Sequence, residues 1–269
     1  TMANQLALRV QMRAGQEAIV EEYCHIFTAE AGAAAALSGV QLKPLASERG
    51  CLDPARVALS ILADDDDHHA PTTLVCVENT HNRHGGRVYP PAELARLRAD
   101  TSARGLRLHV DGARLWHAAV ASGRSLAELA APADSVSVCF SKGLGAPVGS
   151  ALVGSAELVA EARRWRKRFG GGMRQVGMLA AGAMHAVEHH RERLVEDHRR
   201  LQRLLTLAEL PPDVRLPGGV PETNILILEL PPRLDPVAVL ARLREQGVWM
   251  IPFGPGLVRA ITHLDVDDE

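Results

Sequence analysis

The sequence predicts an α/β protein with a mostly parallel sheet, followed by a small α+β unit at its C-terminal end. Runs with strand patterns alternate with runs typical of helices over most of the chain. This alternation is typical of a parallel sheet that is covered by helices on both faces. Near the end of the chain the order becomes strand, helix, strand, strand, which is typical of a small α+β domain. We predict two domains, residues 1–186 and residues 187–269.

Nine short segments have the pattern of strands. The run 72–78 is continuously apolar, as expected for a strand buried on both faces of its sheet. In the run 135–140, Val136, Val138 and Phe140 alternate with smaller or polar residues, which is the period of a strand. The predicted strands are 18–23, 38–42, 72–78, 106–110, 135–140, 150–154, 224–230, 248–251 and 257–264.

Caps and apolar spacing predict helices between these strands. Thr1 is a candidate N-cap for a helix over residues 2–14, which Gly15 ends. Two Asp-Pro pairs combine a capping carboxylate with proline at the first helical position, where its missing N–H costs nothing. The predicted helices begin at or span 2–14, Asp53-Pro54, 91–102, 115–121, Ser155, 175–207 and Asp235-Pro236.

Composition and charge exclude several classes of function. The chain has 269 residues, 46% of them hydrophobic, and a net charge of −2, which gives no field to attract nucleic acid or an acidic membrane. The arginine-rich run 163–168 could suggest RNA, but a charged helix face agrees better with this balanced charge. No run approaches the length of a membrane span. The 4 cysteines lie far apart and favour a reducing compartment such as the cytoplasm.

Lys142 follows the strand 135–140 in a turn that contains Gly143, Gly145 and Gly149. Glycines let the backbone approach a flat ligand, and burial lowers the pKa of a lysine so that its neutral amine can attack a carbonyl. We predict that Lys142 forms a Schiff base with pyridoxal phosphate. A surface lysine in a loop is the ordinary alternative, and the rest of the chain decides against it.

Polar residues follow three of the predicted strands directly. They are His81, the pair Asp111 and Arg114, and Lys142. Ligands of parallel sheets bind beyond the carboxyl ends of the strands, so these residues are expected at one edge. A carboxylate such as Asp111 can keep a pyridine nitrogen protonated, which makes the ring an electron sink. Asp111 could instead cap the following helix.

Two other patterns offer metal sites as alternatives. His185, Glu188 and His189 match H-x-x-E-H, a zinc-peptidase spacing, but a solvated helix face is the simpler interpretation. The acidic and histidine run 64–69 is most simply a solvated loop, since cation loops need spaced ligands and glycine turns. We predict no resident metal.

Six motifs, in order along nearly the whole chain, resemble those of the low-specificity L-threonine aldolases. These enzymes are fold-type-I, pyridoxal phosphate-dependent members of the beta-eliminating lyase family, so the resemblance implies an aspartate-aminotransferase-like large domain. The motifs are Thr1-Met-Ala-Asn-Gln, Glu78-Asn-Thr-His81-Asn, Asp111-Gly-Ala-Arg114-Leu, Ser141-Lys142-Gly-Leu-Gly-Ala-Pro-Val-Gly, Gly171-Gly-Met-Arg174-Gln and Thr262-His-Leu-Asp-Val.

The resemblance implies five cofactor residues. Lys142 is the Schiff-base lysine, and Asp111 pairs with the pyridine nitrogen. His25 resembles the histidine that stacks on the cofactor ring, although a lone histidine would more often be structural. Thr1 is placed in the phosphate-binding turn at a helix N-terminus. Arg174 is expected to reach the phosphate or an adjoining subunit.

The resemblance also implies how the substrate is held. Arg114 and Arg259 resemble the arginine pair that binds the substrate carboxylate, for which the guanidinium fork is well suited. His81 resembles the histidine near the β-hydroxyl, and the base is either His81 or a water that it orients. The family carries an N-terminal segment before Thr1 and usually a helix after the last strand, so we expect part of the phosphate and carboxylate sites to be missing from this sequence.

The predicted activity is therefore cleavage of L-threonine or L-allo-threonine to glycine and acetaldehyde, a lyase reaction of threonine catabolism and glycine biosynthesis. The resemblance implies a homotetramer with active sites at a subunit interface. Three alternatives stay open: a lyase for another β-hydroxy amino acid such as phenylserine, a zinc hydrolase built on His185, Glu188 and His189, and a chain without activity that serves only in assembly.

Overall fold

The computed structural model describes residues 1–268, which form two sheets and the helices that cover them. The larger sheet has six strands in the order β2-β1-β3-β4-β5-β6, and the smaller has three in the order β7-β9-β8. The strands are β1 Glu17–Glu21, β2 Gln41–Leu45, β3 Thr72–Glu78, β4 Arg107–Gly112, β5 Ser135–Cys139, β6 Ser150–Gly154, β7 Ile225–Glu229, β8 Ile251–Gly254 and β9 Leu257–Ile261.

Helices lie between and beyond these strands. The helices are α1 Met2–Gln11, α2 His25–Thr28, α3 Pro54–Ser60, α4 Pro91–Ala103, α5 Leu115–Ser122, α6 Leu126–Ala130, α7 Ala156–Arg168, α8 Gly177–His189, α9 Leu194–Leu207 and α10 Pro236–Glu245. The predicted caps of α3 and α10 are confirmed, since Asp53 and Asp235 accept hydrogen bonds from backbone N–H groups in the first helical turns. Within residues 1–268, every helix is too short or too polar to serve as a transmembrane segment.

The larger sheet confirms the predicted α/β class. Its strands β1 to β5 pair in parallel, and only the edge strand β6 runs antiparallel. Side chains of β3 alternate between two cores: Val75 and Val77 pack with residues of α4 and α5, while Leu74 and Cys76 pack with residues of α1. Apolar side chains on both faces explain why β3 is continuously apolar in sequence.

Strand register places the polar ends of the central strands side by side. Glu78 of β3 pairs with Asp111 of β4, and Asp111 pairs with Ser137 of β5. Parallel pairing thus brings three residues that are far apart in sequence into one row across the sheet. The row lies at the carboxyl ends of the strands, where ligands of open α/β sheets bind.

The smaller sheet is antiparallel and follows the predicted strand, helix, strand, strand order. Its core contains Leu226, Leu228 and Val258, with Leu201 from α9 packed against them. This confirms a small α+β region at the C-terminal end. The domain boundary at residue 186 stays a prediction.

Several predicted elements differ from the observed ones in position or length. The strand predicted at 38–42 lies further along the chain: Ala34–Ser38 form a π-helical turn that Gly39 ends with a φ of 65°, and β2 begins only at Gln41. The helix over 175–207 is divided into α8 and α9, because residues 190–193 turn and His190 Nδ1 hydrogen-bonds to the carbonyl of Leu144.

The third displaced element is the strand at 248–251, which begins at Ile251 instead. The backbone N–H of Val248 donates to the carbonyl of Leu243, so this residue closes the end of α10. Likewise, α1 ends at Gln11 rather than at residue 14. The end of a helix uses backbone N–H and C=O groups that a strand would need for pairing in a sheet. A local pattern of apolar residues does not show which of the two uses these groups.

Candidate active site

A cavity of about 470 Å³ lies at the carboxyl ends of β3, β4 and β5. It contains six of the eight residues that the sequence assigned to cofactor or substrate: Thr1, His25, Asp111, Arg114, Lys142 and Arg259. A second cavity of about 460 Å³ shares Arg114, Lys142 and Arg259 with the first. The two cavities therefore adjoin at the lysine and the arginine pair.

Lys142 lies in the turn between β5 and β6. The turn is closed by the N–H of Gly145, which donates to the carbonyl of Lys142 at 2.8 Å. Burial and the nearby Arg114 guanidinium lower the pKa of Lys142, although Asp111 opposes them. A lowered pKa increases the fraction of neutral amine, which is the form that attacks a carbonyl.

Asp111 is buried in β4 and held by several donors. Asn4 Nδ2 donates to Asp111 Oδ2 at 2.7 Å, and the N–H of Ala113 donates to Oδ1 at 3.1 Å. Burial alone would raise the pKa of Asp111, but Lys142, His109 and Asn4 keep it below the ordinary value, so the carboxylate is ionised. The helix-cap alternative for Asp111 is wrong, because the N-cap residue of α5 is Arg114.

His25 begins α2 and lines the cavity with a side chain that is 33% exposed. Its Nδ1 lies 2.9 Å from Glu30 Oε1. This hydrogen bond raises the pKa of His25 more than burial lowers it. The backbone N–H of His25 donates to Glu78 Oε2 at 2.7 Å, which anchors the start of α2 to the end of β3.

The two predicted arginines line both cavities. Arg259 Nη1 donates to Asn82 Oδ1 at 2.8 Å, and its guanidinium lies 4.4 Å from the centre of the Phe253 ring. Burial, Arg114 and Arg83 lower the pKa of Arg259 to about 10, so it stays charged at neutral pH. Two cations on one wall form a site for an anionic group such as a carboxylate.

His81 is not among the residues that line the cavity. Its side chain is 2% exposed, and its Nε2 lies 2.8 Å from Glu21 Oε2. Its Nδ1 is buried and has no hydrogen-bond partner among residues 1–268. The neighbours Glu78 and Asn82 do line the cavity. His81 therefore lies behind the wall rather than in it.

Thr1 and Arg174 differ in placement. Thr1 lines the cavity at the N-terminal end of α1, where backbone N–H groups are free to bind an anion. Its side chain makes no capping hydrogen bond. Arg174 is exposed, lies between α7 and α8, and is not a lining residue of the cavity. Any role of Arg174 toward this cavity requires other residues or another subunit.

The residues of the alternative zinc motif, His185, Glu188 and His189, do not form a three-ligand site. The His185 and His189 rings lie 4.4 Å apart, and His189 pairs with Glu188 at 4.0 Å, but all three side chains are exposed. Within the described part of the chain, the side-chain groups close enough to share one ion are Glu21 with His81 and His84, and His25 with Glu30 and Asp111. A solvated helix face accounts for the motif.

Sequence reasoning missed the buried polar residues that support the site. Asn4, Glu30 and Ser137 are each buried and hydrogen-bonded to a cavity residue or to one another. The available signals were weak: Asn4 lies one helical turn after Thr1, and Ser137 occupies an alternating position of β5. The local sequence does not indicate the hydrogen-bond partner of either residue, because each partner lies in another segment of the chain.

Comparisons with known proteins support one family. The beta-eliminating lyase family matches residues 1–226. The low specificity L-threonine aldolase of Escherichia coli O157:H7 is 41% identical over 271 residues, covering 100% of this chain and 78% of the relative. The low-specificity L-threonine aldolase 1 of Arabidopsis thaliana is 34% identical, covering 98% of this chain and 75% of the relative.

The fold also matches solved structures. The Leishmania major threonine aldolase has a TM-score of 0.82 at 22% sequence identity, covering 99% of this chain and 78% of that one. A Thermus thermophilus aspartate aminotransferase variant has a TM-score of 0.66 at 18% identity. At these identities the likeness concerns the fold, and it confirms the aspartate-aminotransferase-like architecture.

Proposed function

Because the chain belongs to the beta-eliminating lyase family, among its low-specificity L-threonine aldolases, we propose that it cleaves L-threonine and L-allo-threonine to glycine and acetaldehyde. The family is pyridoxal phosphate-dependent. The observation that carries the assignment is the convergence of Lys142, Asp111, His25 and the arginine pair on one cavity.

The residues present fit pyridoxal phosphate. The cavity of about 470 Å³ offers a lysine with a lowered pKa for the aldehyde, an ionised buried carboxylate for the pyridine nitrogen and a half-buried imidazole for the ring face. Lys142 Nζ makes no hydrogen bond or ion pair within residues 1–268, which leaves the amine available. The N-terminal end of α1 suits a phosphate.

When bound, pyridoxal phosphate supplies a ring that accepts the electron pair released as the Cα–Cβ bond breaks. Asp111 would support this chemistry by holding a negative charge toward the ring nitrogen. The hydrogen bonds from Asn4 and Ala113 fix the direction of that carboxylate. Lys142 would hold the aldehyde of the cofactor, and its amine would accept or return a proton at the cavity wall.

Arg114 and Arg259 orient the substrate. Both line the junction of the two cavities, and Asn82 fixes Arg259 through a 2.8 Å hydrogen bond. Guanidinium groups bind carboxylates through paired N–H donors, so they can fix the rotation of the amino acid about its Cα. This orientation decides which bond at Cα is broken.

The β-hydroxyl proton must be taken up by a base at the cavity or by a water that such a base orients. The sequence resemblance leaves two roles for His81, as the base itself or as the residue that orients a water. Its 2% exposure and its position behind the wall favour the water-mediated role. His25 is the imidazole that the cavity contains, and its Nε2 has no hydrogen-bond partner within residues 1–268.

The first experiment replaces Lys142 with alanine. The variant is expected to lose the yellow absorbance with pyridoxal phosphate, to retain no cofactor after borohydride reduction and to release no acetaldehyde from threonine, because the other described residues that line the cavity include no lysine side chain. Lys167→Ala, an exposed lysine on α7, is the matched control and should behave as wild type. Retained cofactor linkage in Lys142→Ala would remove this lysine from the proposal, and wild-type protein that forms no acetaldehyde would contradict the activity.

The second candidate function is cleavage of a substrate with a larger β-substituent, which the second cavity could receive. The adjoining 460 Å³ cavity is lined in part by the apolar side chains of Trp249, Ile251 and Leu264, beside polar residues such as Asn224 and His263. We propose that phenylserine is also accepted there. Comparing kcat/KM for threonine and phenylserine, before and after Trp249→Ala, tests this, and equal changes for both substrates would contradict it.

We also propose that the chain forms a homotetramer in a reducing compartment such as the cytoplasm. An apolar groove of about 590 Å³ lined in part by Val148, Val153 and Met184 supports an assembly face, and all four cysteines are free. The molar mass from light scattering tests the assembly, and a monomer at micromolar concentration would contradict it.

A further inference from the structure

Glu30 lies behind the cavity wall and holds a residue of that wall. Its side chain is fully buried and is not in contact with the cavity. Gln5 Nε2 donates to Glu30 Oε2 at 2.6 Å, while Asn4 Nδ2 and His25 Nδ1 lie 2.9 Å from Oε1. Burial would raise the pKa of Glu30, but hydrogen bonds from His25, Gln5 and Asn4 keep it below the ordinary value. The carboxylate is therefore ionised.

This ionisation decides which nitrogen of His25 carries hydrogen. A carboxylate can only accept hydrogen bonds, so the nitrogen 2.9 Å from it must be a donor. The neutral imidazole of His25 is thus protonated at Nδ1, and its Nε2 bears the lone pair. Since Nε2 has no protein partner within residues 1–268, it is the atom left for a ligand in the cavity.

The same network reaches Asp111 through a single amide. Asn4 Nδ2 donates one hydrogen to Glu30 Oε1 and the other to Asp111 Oδ2, at 2.9 and 2.7 Å. Asn4 Oδ1 accepts from Ser137 Oγ at 2.7 Å. Rotating the amide by half a turn would aim its oxygen at two carboxylates, so the orientation of Asn4 is fixed. His25 and Asp111 are consequently held by one connected set of hydrogen bonds.

We propose that Glu30 is a positioning residue for His25. Glu30 fixes the orientation of the His25 ring and accepts a hydrogen bond from its Nδ1. His25 therefore presents Nε2 to the cofactor and the amino-acid substrate. Through Asn4, the placement of the imidazole and of the Asp111 carboxylate is set jointly. The expected effect of Glu30 on turnover rests on the proposed function. The position of the hydrogen on the His25 ring does not depend on it.

The first measurement is the tautomer of His25 in the full chain labelled with ¹⁵N-histidine. Nitrogen chemical shifts, assigned by comparison with His25→Gln, are expected to show Nδ1 protonated and Nε2 unprotonated when the ring is neutral. Glu30→Gln should change this state, because a glutamine amide can also donate to Nδ1, and it should lower the pKa of His25 by roughly one unit or more. If Nδ1 of His25 carries no hydrogen in the neutral ring of the wild type, that result alone overturns the inference.

The second measurement is turnover and cofactor binding by the holoenzyme. Glu30→Gln is expected to lower kcat for threonine at least about tenfold while pyridoxal phosphate remains bound. The exposed Glu245 at the end of α10 provides the control Glu245→Gln, which should match wild type. Glu30→Asp, which keeps the charge, should retain a His25 pKa above that in Glu30→Gln.

The outcomes separate this inference from the proposed function. Wild type that forms no acetaldehyde but shows Nδ1 protonated in the full chain contradicts the activity and supports the role of Glu30. Wild type that cleaves threonine, with a Glu30→Gln variant whose His25 titration and kcat are unchanged, overturns the role of Glu30 alone.

Discussion

Histidines in two regions of this protein are held in opposite ways. At the carboxyl edge of the sheet, His25 and His81 each lie within 2.9 Å of a buried carboxylate, Glu30 or Glu21. Between α5 and α9, His117 and His198 instead face each other, with Nδ1 and Nε2 2.9 Å apart and ring centres 5.1 Å apart. One region pairs imidazole with negative charge, and the other pairs imidazole with imidazole.

The pKa values move in opposite directions in the two regions. Burial would lower the pKa of His81, but the carboxylates of Glu78 and Glu21 outweigh it and raise the pKa. For His117, burial, His198 and nearby arginines all act together and lower the pKa to about 3, and burial lowers that of His198 to about 4. Burial alone therefore does not decide the direction in which the pKa of a histidine moves: carboxylates outweigh burial at His81, whereas the groups that act on His117 lower its pKa together with burial.

Glu21→Gln is expected to have the largest effect on this contrast. Removing one partner of a buried ion pair leaves the other uncompensated and costs about 3–5 kcal/mol. The pKa of Glu21 is depressed, because hydrogen bonds from His81 and His84 outweigh burial, so its contribution exists above about pH 4.5 and is lost on acidification. The pKa of His81 is raised, so the contribution of His81 to stability is complete below about pH 6.5 and is lost as the pH rises.

The difference in unfolding free energy between wild type and Glu21→Gln should therefore be largest between roughly pH 4.5 and 6.5, measured by urea denaturation. Glu22→Gln is the control, since the adjacent carboxylate makes no hydrogen bond or ion pair within residues 1–268. Equal stabilities of the two variants would mean that the Glu21–His81 pair does not stabilise the fold.

The second prediction concerns the pair without a carboxylate. The lowered pKa values of His117 and His198 mean that the unfolded chain binds protons there before the folded chain does, so stability falls as the pH drops below about 6.5. Between pH 7 and pH 5 the loss is about 2 kcal/mol for each histidine. The double variant His117→Gln with His198→Gln removes both titrating groups and should lose less stability over this range.

The control for that experiment is His189→Gln, which changes an exposed histidine of α8. It should keep the acid sensitivity of wild type in urea unfolding at pH 7 and pH 5. If the double variant and His189→Gln were equally sensitive to acid, the His117–His198 pair would not be the source of the loss.

The same contrast shows what the sequence could predict. Lys142 and Arg114 follow strands and Asp111 lies near the end of β4, and the carboxyl ends of parallel strands share an edge, so their convergence was predictable from element order. Asp53 and Asp235 were predictable as caps because a cap and its partner lie within one helical turn.

The supporting partners were not predictable in this way. Asn4 and Asp111 are hydrogen-bonded across 107 positions, and Glu21 and His81 across 60, so each pair depends on which strands and helices become neighbours. His81 illustrates the consequence: its motif indicated an active-site residue, yet its burial behind the wall follows from Glu21 on another strand. Sequence patterns report faces and ends of elements, whereas hydrogen-bond partners depend on tertiary packing.

His84→Ala should have the smallest effect on the free energy of unfolding. It removes the contact at Glu21 Oε1 and leaves the hydrogen bond between His81 and Glu21 Oε2 in place. His84 Nε2 lies 3.3 Å from Glu21 Oε1, and its side chain is 21% exposed, so the loss is expected to be only about 0.5–1 kcal/mol. The Glu21–His81 hydrogen bond remains, so the pKa of His81 should stay raised, which ¹⁵N-histidine titration can verify. His68→Ala, which removes an exposed histidine paired with Asp66, is the control. A loss as large as that of Glu21→Gln would show that His84, rather than His81, is the partner through which Glu21 stabilises this edge of the sheet.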